Sequence, residues 1–146
     1  MRVKILKKDI NAVMPAKAHT DDYCYDVVAT SCTEIAPNVY RYGTGLAFEI
    51  VRPKTEQINL SIDFRPRSSV WRTGMVLSNC TGTIDEGYRG EVCAVFYHLM
   101  PDMPKYEVGD RIGQIKLGCC KPMEFEWATE LEDSDRGDGG YGSTGR

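Results

Sequence analysis

Residues 79–91 read Asn-Cys-Thr-Gly-Thr-Ile-Asp-Glu-Gly-Tyr-Arg-Gly-Glu, two strand-like ends around a glycine-rich turn. A hairpin there would offer backbone amides and carbonyls to a flat polar ligand, with Asp85 as a carboxylate and Tyr88 as an aromatic wall. A plain hairpin carrying a solvated aspartate is the simpler alternative. Residues 65–74, Arg-Pro-Arg-Ser-Ser-Val-Trp-Arg-Thr-Gly, set two hydroxyls and free backbone amides at a helix start beside a guanidinium. That combination binds anions, although an ordinary serine cap has the same residues. Residues 109–115 read as a turn into a strand that presents Arg111 and Gln114. Arg136, Ser143 and Thr144 lie in a final stretch whose five glycines would let the backbone wrap over a phosphate.

The elements that must position these residues follow a period of two. Ile58, Leu60, Ile62 and Phe64 alternate with Asn59, Ser61 and Asp63, and Val3 and Ile5 alternate with Arg2 and Lys4, the pattern of half-buried strands. Further short apolar runs at residues 46–52, 75–79, 91–99, 111–117 and 123–127 are separated by Gly, Pro, Asn and Asp. No helical stripe lasts three turns. An all-β sandwich, jelly roll or barrel is predicted, with one short helix over residues 68–73 between Pro66 and Gly74.

Composition bounds the rest. The chain has 146 residues, 18 basic and 21 acidic side chains and a net charge of −3, which fits one domain and lacks the basic stripe of a nucleic-acid binder. Its longest apolar stretch, residues 92–97, is too short to span a bilayer, and no secretory signal precedes the first strand. Cys24, Cys32, Cys80, Cys93, Cys119 and Cys120 show no CxxC spacing and are read as reduced, buried packing residues, which points to an intracellular protein. Residues 135–146 cannot build a core, and composition alone makes them a disordered tail.

Taken in order, these stretches resemble the five motifs of the trimeric dUTP pyrophosphatases, or dUTPases. The first, Asp-Ala-Gly-Tyr-Asp-Leu, is met by residues 22–27, which keep both aspartates and Tyr25 but carry Tyr23 and Cys24 for the Ala-Gly pair. Residues 66–69 match the second motif, with Trp71 where a small residue is usual, and residues 79–91 match the third, including Gly-x-Ile-Asp-x-x-Tyr-Arg-Gly. Residues 109–115 match the fourth, and residues 136–145 the fifth, with Tyr141 in place of phenylalanine.

The resemblance implies a jelly-roll or β-clip domain over residues 1–134 and a mobile glycine-rich arm over residues 135–146. It implies hydrolysis of dUTP to dUMP and pyrophosphate, with water attacking the α-phosphorus and Asp85 as its base. Phosphate contacts would come from Arg67, Ser68, Ser69, Arg111, Gln114, Arg136, Ser143 and Thr144. Uracil and deoxyribose would meet Asn79, Gly82, Ile84 and Tyr88, with Tyr141 and Gly142 closing from the arm. Mg²⁺ would arrive on the triphosphate, one of its waters held by Asp26. The assembly implied is a homotrimer with sites shared between subunits, acting in the cytoplasm, a nucleus or a viral context, without nucleic-acid or membrane partners. A dCTP deaminase of the same fold shares Arg67-Ser68-Ser69 and Arg72 but needs a glutamate near Val95, where residues 92–97 hold no acid. A nucleotide-sensing binding protein is a further alternative, though Asp85 and both serines are intact.

Overall fold

Alternation does most of the building. In the computed structural model, which describes residues 1–53 and 57–140, Leu60, Ile62 and Phe64 all turn into the core, while Asn59, Ser61, Asp63 and Arg65 face outward. In chain order the strands are β1 (Arg2–Lys7), β2 (Tyr25–Val28), β3 (Ser31–Ala36), β4 (Val39–Gly43), β5 (Leu46–Val51) and β6 (Asn59–Arg65). A 3-10 helix, Ser68–Thr73, precedes β7 (Met75–Leu77), β8 (Gly82–Asp85), β9 (Cys93–His98) and β10 (Arg111–Cys120). Every strand pairing is antiparallel, in sheets ordered β2-β10-β6-β8 and β3-β4-β9-β7 with a separate β1-β5 pair. The all-β expectation with one short helix therefore holds.

One continuous core joins the inner faces of the two larger sheets. Tyr42, Phe96 and Tyr106 pack edge to face at its centre with ring centroids 5.6–6.2 Å apart, a geometry that aromatic quadrupoles favour. The Tyr42 hydroxyl donates to the Tyr106 carbonyl at 2.8 Å, and burial pushes its pKa well up. Gly113 sits where β10 shifts register against β2, and a Cβ there would collide with the Phe64 ring. Only glycine lets the end of the core ring come this close to the strand.

Three expectations need correction. Residues 123–127 form no strand: Met123, Phe125 and Trp127 alternate, but no neighbouring strand among the described residues pairs with them, and all three side chains are exposed. In β1, Val3 is exposed and only Ile5 is partly covered, because no element among the described residues packs over its outer face. None of the six cysteines is buried, since Cys80, Cys93, Cys119 and Cys120 are exposed and Cys24 and Cys32 half-buried; all six are free thiols.

Candidate active site

Asp26 lies opposite Gln114, the centre of a cluster that spans three motifs of the sequence. Gln114 Nε2 donates to Asp26 Oδ1 at 3.0 Å and Arg111 Nη1 to Oδ2 at 2.9 Å. Arg67 brings its Nε to 3.3 Å from Oδ1, an ion pair whose alignment leaves that buried N–H without a hydrogen-bond partner. Two guanidiniums around one carboxylate leave a surplus positive charge, and a buried donor without a partner marks where an acceptor is missing. The cluster is a ready seat for an anion.

The replaced turn before Asp26 does not displace it, because Asp26 and Ala16 exchange backbone hydrogen bonds of 2.8 and 3.3 Å. Trp71 likewise causes no crowding: its ring is exposed and carries the Arg72 guanidinium 5.2 Å from its centroid. Ser68 and Ser69 open the 3-10 helix, but neither caps it. Arg67 holds the N-cap position without a side-chain cap, and the two hydroxyls make no hydrogen bond among the described residues.

The second constellation forms where two strands part. Ser78 N donates to the Val95 carbonyl at 2.9 Å, and beyond that rung the chain leaves β9 through Cys80, which adopts a positive φ of 56°. Residues two apart on a strand present their backbone groups to the same edge, so the edge at Cys93 is left uncovered. A cavity of about 470 Å³ opens there over a floor of Phe64, Leu77, Val92 and Ala94. Asn79, Gly82, Ile84, Asp85 and Tyr88 line its walls, so the structure gathers every hairpin residue picked out in the sequence.

Pins at both ends hold the hairpin open. At its base Val92 N donates to Leu46 O at 2.8 Å, while the buried Thr44 hydroxyl donates to Val92 O at 2.7 Å. At its turn Tyr88 N donates to Asp85 O at 3.0 Å, and the Tyr88 hydroxyl donates to Glu91 O at 3.2 Å. Asp85 ends β8 opposite Ser61, exposed, its carboxylate without a hydrogen bond among the described residues. An acceptor with no competing donor is suited to take a proton from water.

Sequence reasoning missed Arg41 and Cys93 as residues of this cavity. Arg41 arrives from β4 through its pairing with Val95, a register that no local signal reveals, and Cys93 is hidden as one apolar residue in an apolar run. Although Cys93 as a residue is exposed, desolvation of its thiol, with the negative Glu91 nearby, pushes that thiol up from its ordinary value. Arg136 is exposed, and its Nε donates to Gly139 O at 2.9 Å within its own segment rather than joining either cluster. Tyr141, Gly142, Ser143 and Thr144 lie outside the described residues.

Asp26 and Asp85 themselves both stand on the outward face of the β2-β10-β6-β8 sheet, the face of Ser61 and Arg65. Asp26, Gln114 and Arg65 share one row across it; Asp85, Ser61 and Gly118 share another, four residues away along β6. At about 3.3 Å per residue and 4.8 Å per strand, Asp26 and Asp85 stand roughly 20 Å apart along the sheet. Among the described residues no three His, Cys, Asp or Glu side chains gather as a metal site, and no helix is long and apolar enough to cross a membrane.

The dUTPase family model matches residues 11–145. The deoxyuridine 5'-triphosphate nucleotidohydrolase of Corynebacterium glutamicum is 36% identical over 147 residues, 99% of this chain and 95% of its own. Among solved structures, the Staphylococcus bacteriophage 80alpha dUTPase with dUPNHPP superposes with a TM-score of 0.79 at 24% identity, covering 99% of both chains. A point mutant of the dUTPase from Staphylococcus aureus phage phi11, described with a structural Mg(II) ion, gives 0.69 at 20% identity over 91% of this chain and all of its own. With the family model matched over residues 11–145 and a nucleotidohydrolase 36% identical across 99% of the sequence, this chain belongs to the dUTPase family and is a dUTP diphosphatase that hydrolyses dUTP to dUMP and pyrophosphate.

Proposed function

We propose that the hairpin cavity takes the deoxyuridine and that Asp85 orients and deprotonates the water that attacks the α-phosphorus. A carboxylate is a weak base, so most of the acceleration comes from positioning and from neutralising phosphate charge. Uracil would meet Asn79 and the uncovered edge of β9, flanked by Gly82 and Ile84. Cytosine reverses the donor and acceptor pattern of that polar edge and would leave buried groups unpaired. Tyr88 stands under the deoxyribose and fills the space a 2′-hydroxyl would need.

The phosphates go to Arg67, Arg111 and Gln114, with Ser68 and Ser69 offering unengaged hydroxyls. Residues 135–146 act as an arm distinct from the domain of residues 1–134: Arg136, Ser143 and Thr144 add phosphate contacts, and Tyr141 and Gly142 close over uracil. Magnesium on the triphosphate supplies further charge neutralisation. Asp26 fits a supporting role toward it, since a carboxylate accepts about four hydrogen bonds and three neighbours already engage this one, leaving room for a metal-bound water. Six free thiols support an intracellular setting.

The observation that carries the assembly is the separation of the two clusters. Roughly 20 Å along one sheet exceeds what the triphosphate of a nucleotide seated in the hairpin can bridge, so the two halves of a working site come from different copies. A homotrimer supplies them in a closed ring. Exposed Met123, Phe125 and Trp127, and an apolar groove of about 400 Å³ lined by Val3, Ile5, Tyr25 and Leu117, give two such copies surfaces to cover. The test is complementation. Asp85→Asn and Arg111→Ala should each lose at least ~100-fold in turnover. Refolded together in equal amounts they should recover about a quarter of wild-type activity, the share of intact sites expected when chains assort randomly in three-membered rings. No recovery would mean that each site is built within one chain.

A further inference from the structure

Glu86 follows Asp85 directly and is gripped from outside the hairpin. Arg52, the residue after β5, donates through Nε to Glu86 Oε1 at 3.0 Å and through Nη2 to Oε2 at 2.9 Å. The same Nη2 reaches the Ile58 carbonyl at 2.8 Å, and the Arg52 side chain is only 10% exposed. Two parallel bonds fix the plane and direction of a carboxylate as a single contact cannot. Inside the turn, Arg89 Nη1 donates to Glu86 O at 2.7 Å and Tyr88 N to Asp85 O at 3.0 Å, so hydrogen bonds tie residues 85–89 into one unit. That unit projects outward: a Cβ built on Gly87 meets nothing within 4 Å. The fork from Arg52 anchors its tip to the domain.

We infer that Arg52 and Glu86 are positioning residues for hydrolysis: their fork holds the 85–89 turn so that the Asp85 carboxylate keeps its place relative to the α-phosphorus. Neither residue lines the hairpin cavity, and the inference rests on the assignment of Asp85 as base. A proton acceptor adjoining a turn free to swing spends part of its time out of line, and a misplacement of about 1 Å costs up to ~100-fold in rate. The pair links positions 34 residues apart, which is why nothing in the third motif by itself discloses it.

The experiment uses the full chain in its assembled form and measures kcat, KM for dUTP and melting temperature. Glu86→Gln and Arg52→Lys each keep most of the shape but lose the charged fork. Each should lower kcat by about 10-fold with KM changed less than about 3-fold, and the double variant should be no slower than either single one. Added to Asp85→Asn, Glu86→Gln should change kcat no further, because the residue it positions is already gone. A kcat within about 2-fold of wild type for both single variants, with Asp85→Asn inactive, would overturn the positioning role and leave the base assignment standing. A slowing by Glu86→Gln that persists undiminished on Asp85→Asn would overturn it too, since the fork would then act on structure in general. Near wild-type turnover of Asp85→Asn alone would overturn the base assignment itself. Should Glu86→Gln fail to fold, Arg52→Lys with and without Asp85→Asn gives the same comparison.

Discussion

Tyr88 closes the hairpin turn with its backbone and walls the cavity with its ring, so its two parts can be separated by mutation. Tyr88→Ala keeps the backbone bond to Asp85 and removes the filled volume that would meet a 2′-hydroxyl. The ratio of kcat/KM for dUTP over UTP should fall by at least ~10-fold, within reach of what one buried contact contributes. An unchanged ratio would make Tyr88 a packing residue. Asp63 shows a different kind of dependence on its neighbours. Lys116 Nζ donates to its Oδ2 at 2.9 Å and Ser61 Oγ to Oδ1 at 2.8 Å; the hydrogen bond from Lys116, opposed by burial, holds the Asp63 carboxyl below the usual carboxylate range. A depressed folded-state pKa contributes stability that is present above the unfolded value of about 3.9 and is lost as pH falls through the lower folded one. Asp63→Asn should therefore cost about 2 kcal/mol at neutral pH by leaving Lys116 unpaired, and the gap between variant and wild type should close below about pH 4. Urea unfolding midpoints across that range measure it; a gap constant with pH would mean that packing, not charge, is lost.

Element by element, the sequence is legible wherever one face is buried and the other wet. β6 shows this best, since its alternation of Leu60, Ile62 and Phe64 is set by the core and can be read without knowing any partner. β10 runs three residues beyond the apolar run expected to form it, because Gly118, Cys119 and Cys120 lie opposite Ser61, Leu60 and Asn59. Their extended state comes from the ladder rather than from their own propensity. β2 escapes notice for the converse reason: four residues with Asp26 and Val27 both buried carry no alternation. The candidate site divides in the same way. Asn79, Asp85 and Tyr88 are local to one hairpin and can be grouped on spacing, whereas Arg41 and Arg52 reach it only through sheet register and a contact across the fold. The segment after β10 gives an element-scale test. Truncation before Asp135 removes Arg136, Tyr141, Ser143 and Thr144 and no strand among the described residues, so assembly and melting temperature should hold. Turnover should fall at least ~100-fold, because the proposed lid and its phosphate charges are gone. A fully active truncated protein would reduce the glycine-rich motif to a flexible end.

Across the whole molecule the proposed homotrimer would both bring the two polar clusters together and cover the exposed apolar surfaces. Light scattering on the reduced protein should report a trimer, and reductant should not alter it, because none of the six cysteines is bridged. The row of Met123, Phe125 and Trp127 carries a further consequence, one of mass action. With three large apolar side chains spaced two apart and largely in water, a lone chain would lack part of the burial available to an assembled one. Its thermal midpoint should then climb with protein concentration, as a unimolecular unfolding would not, and specific activity should decline on dilution as the clusters of neighbouring chains part company. Trp127 supplies its own gauge: fully exposed in the single chain, its fluorescence should shift to the red over the same range of dilution.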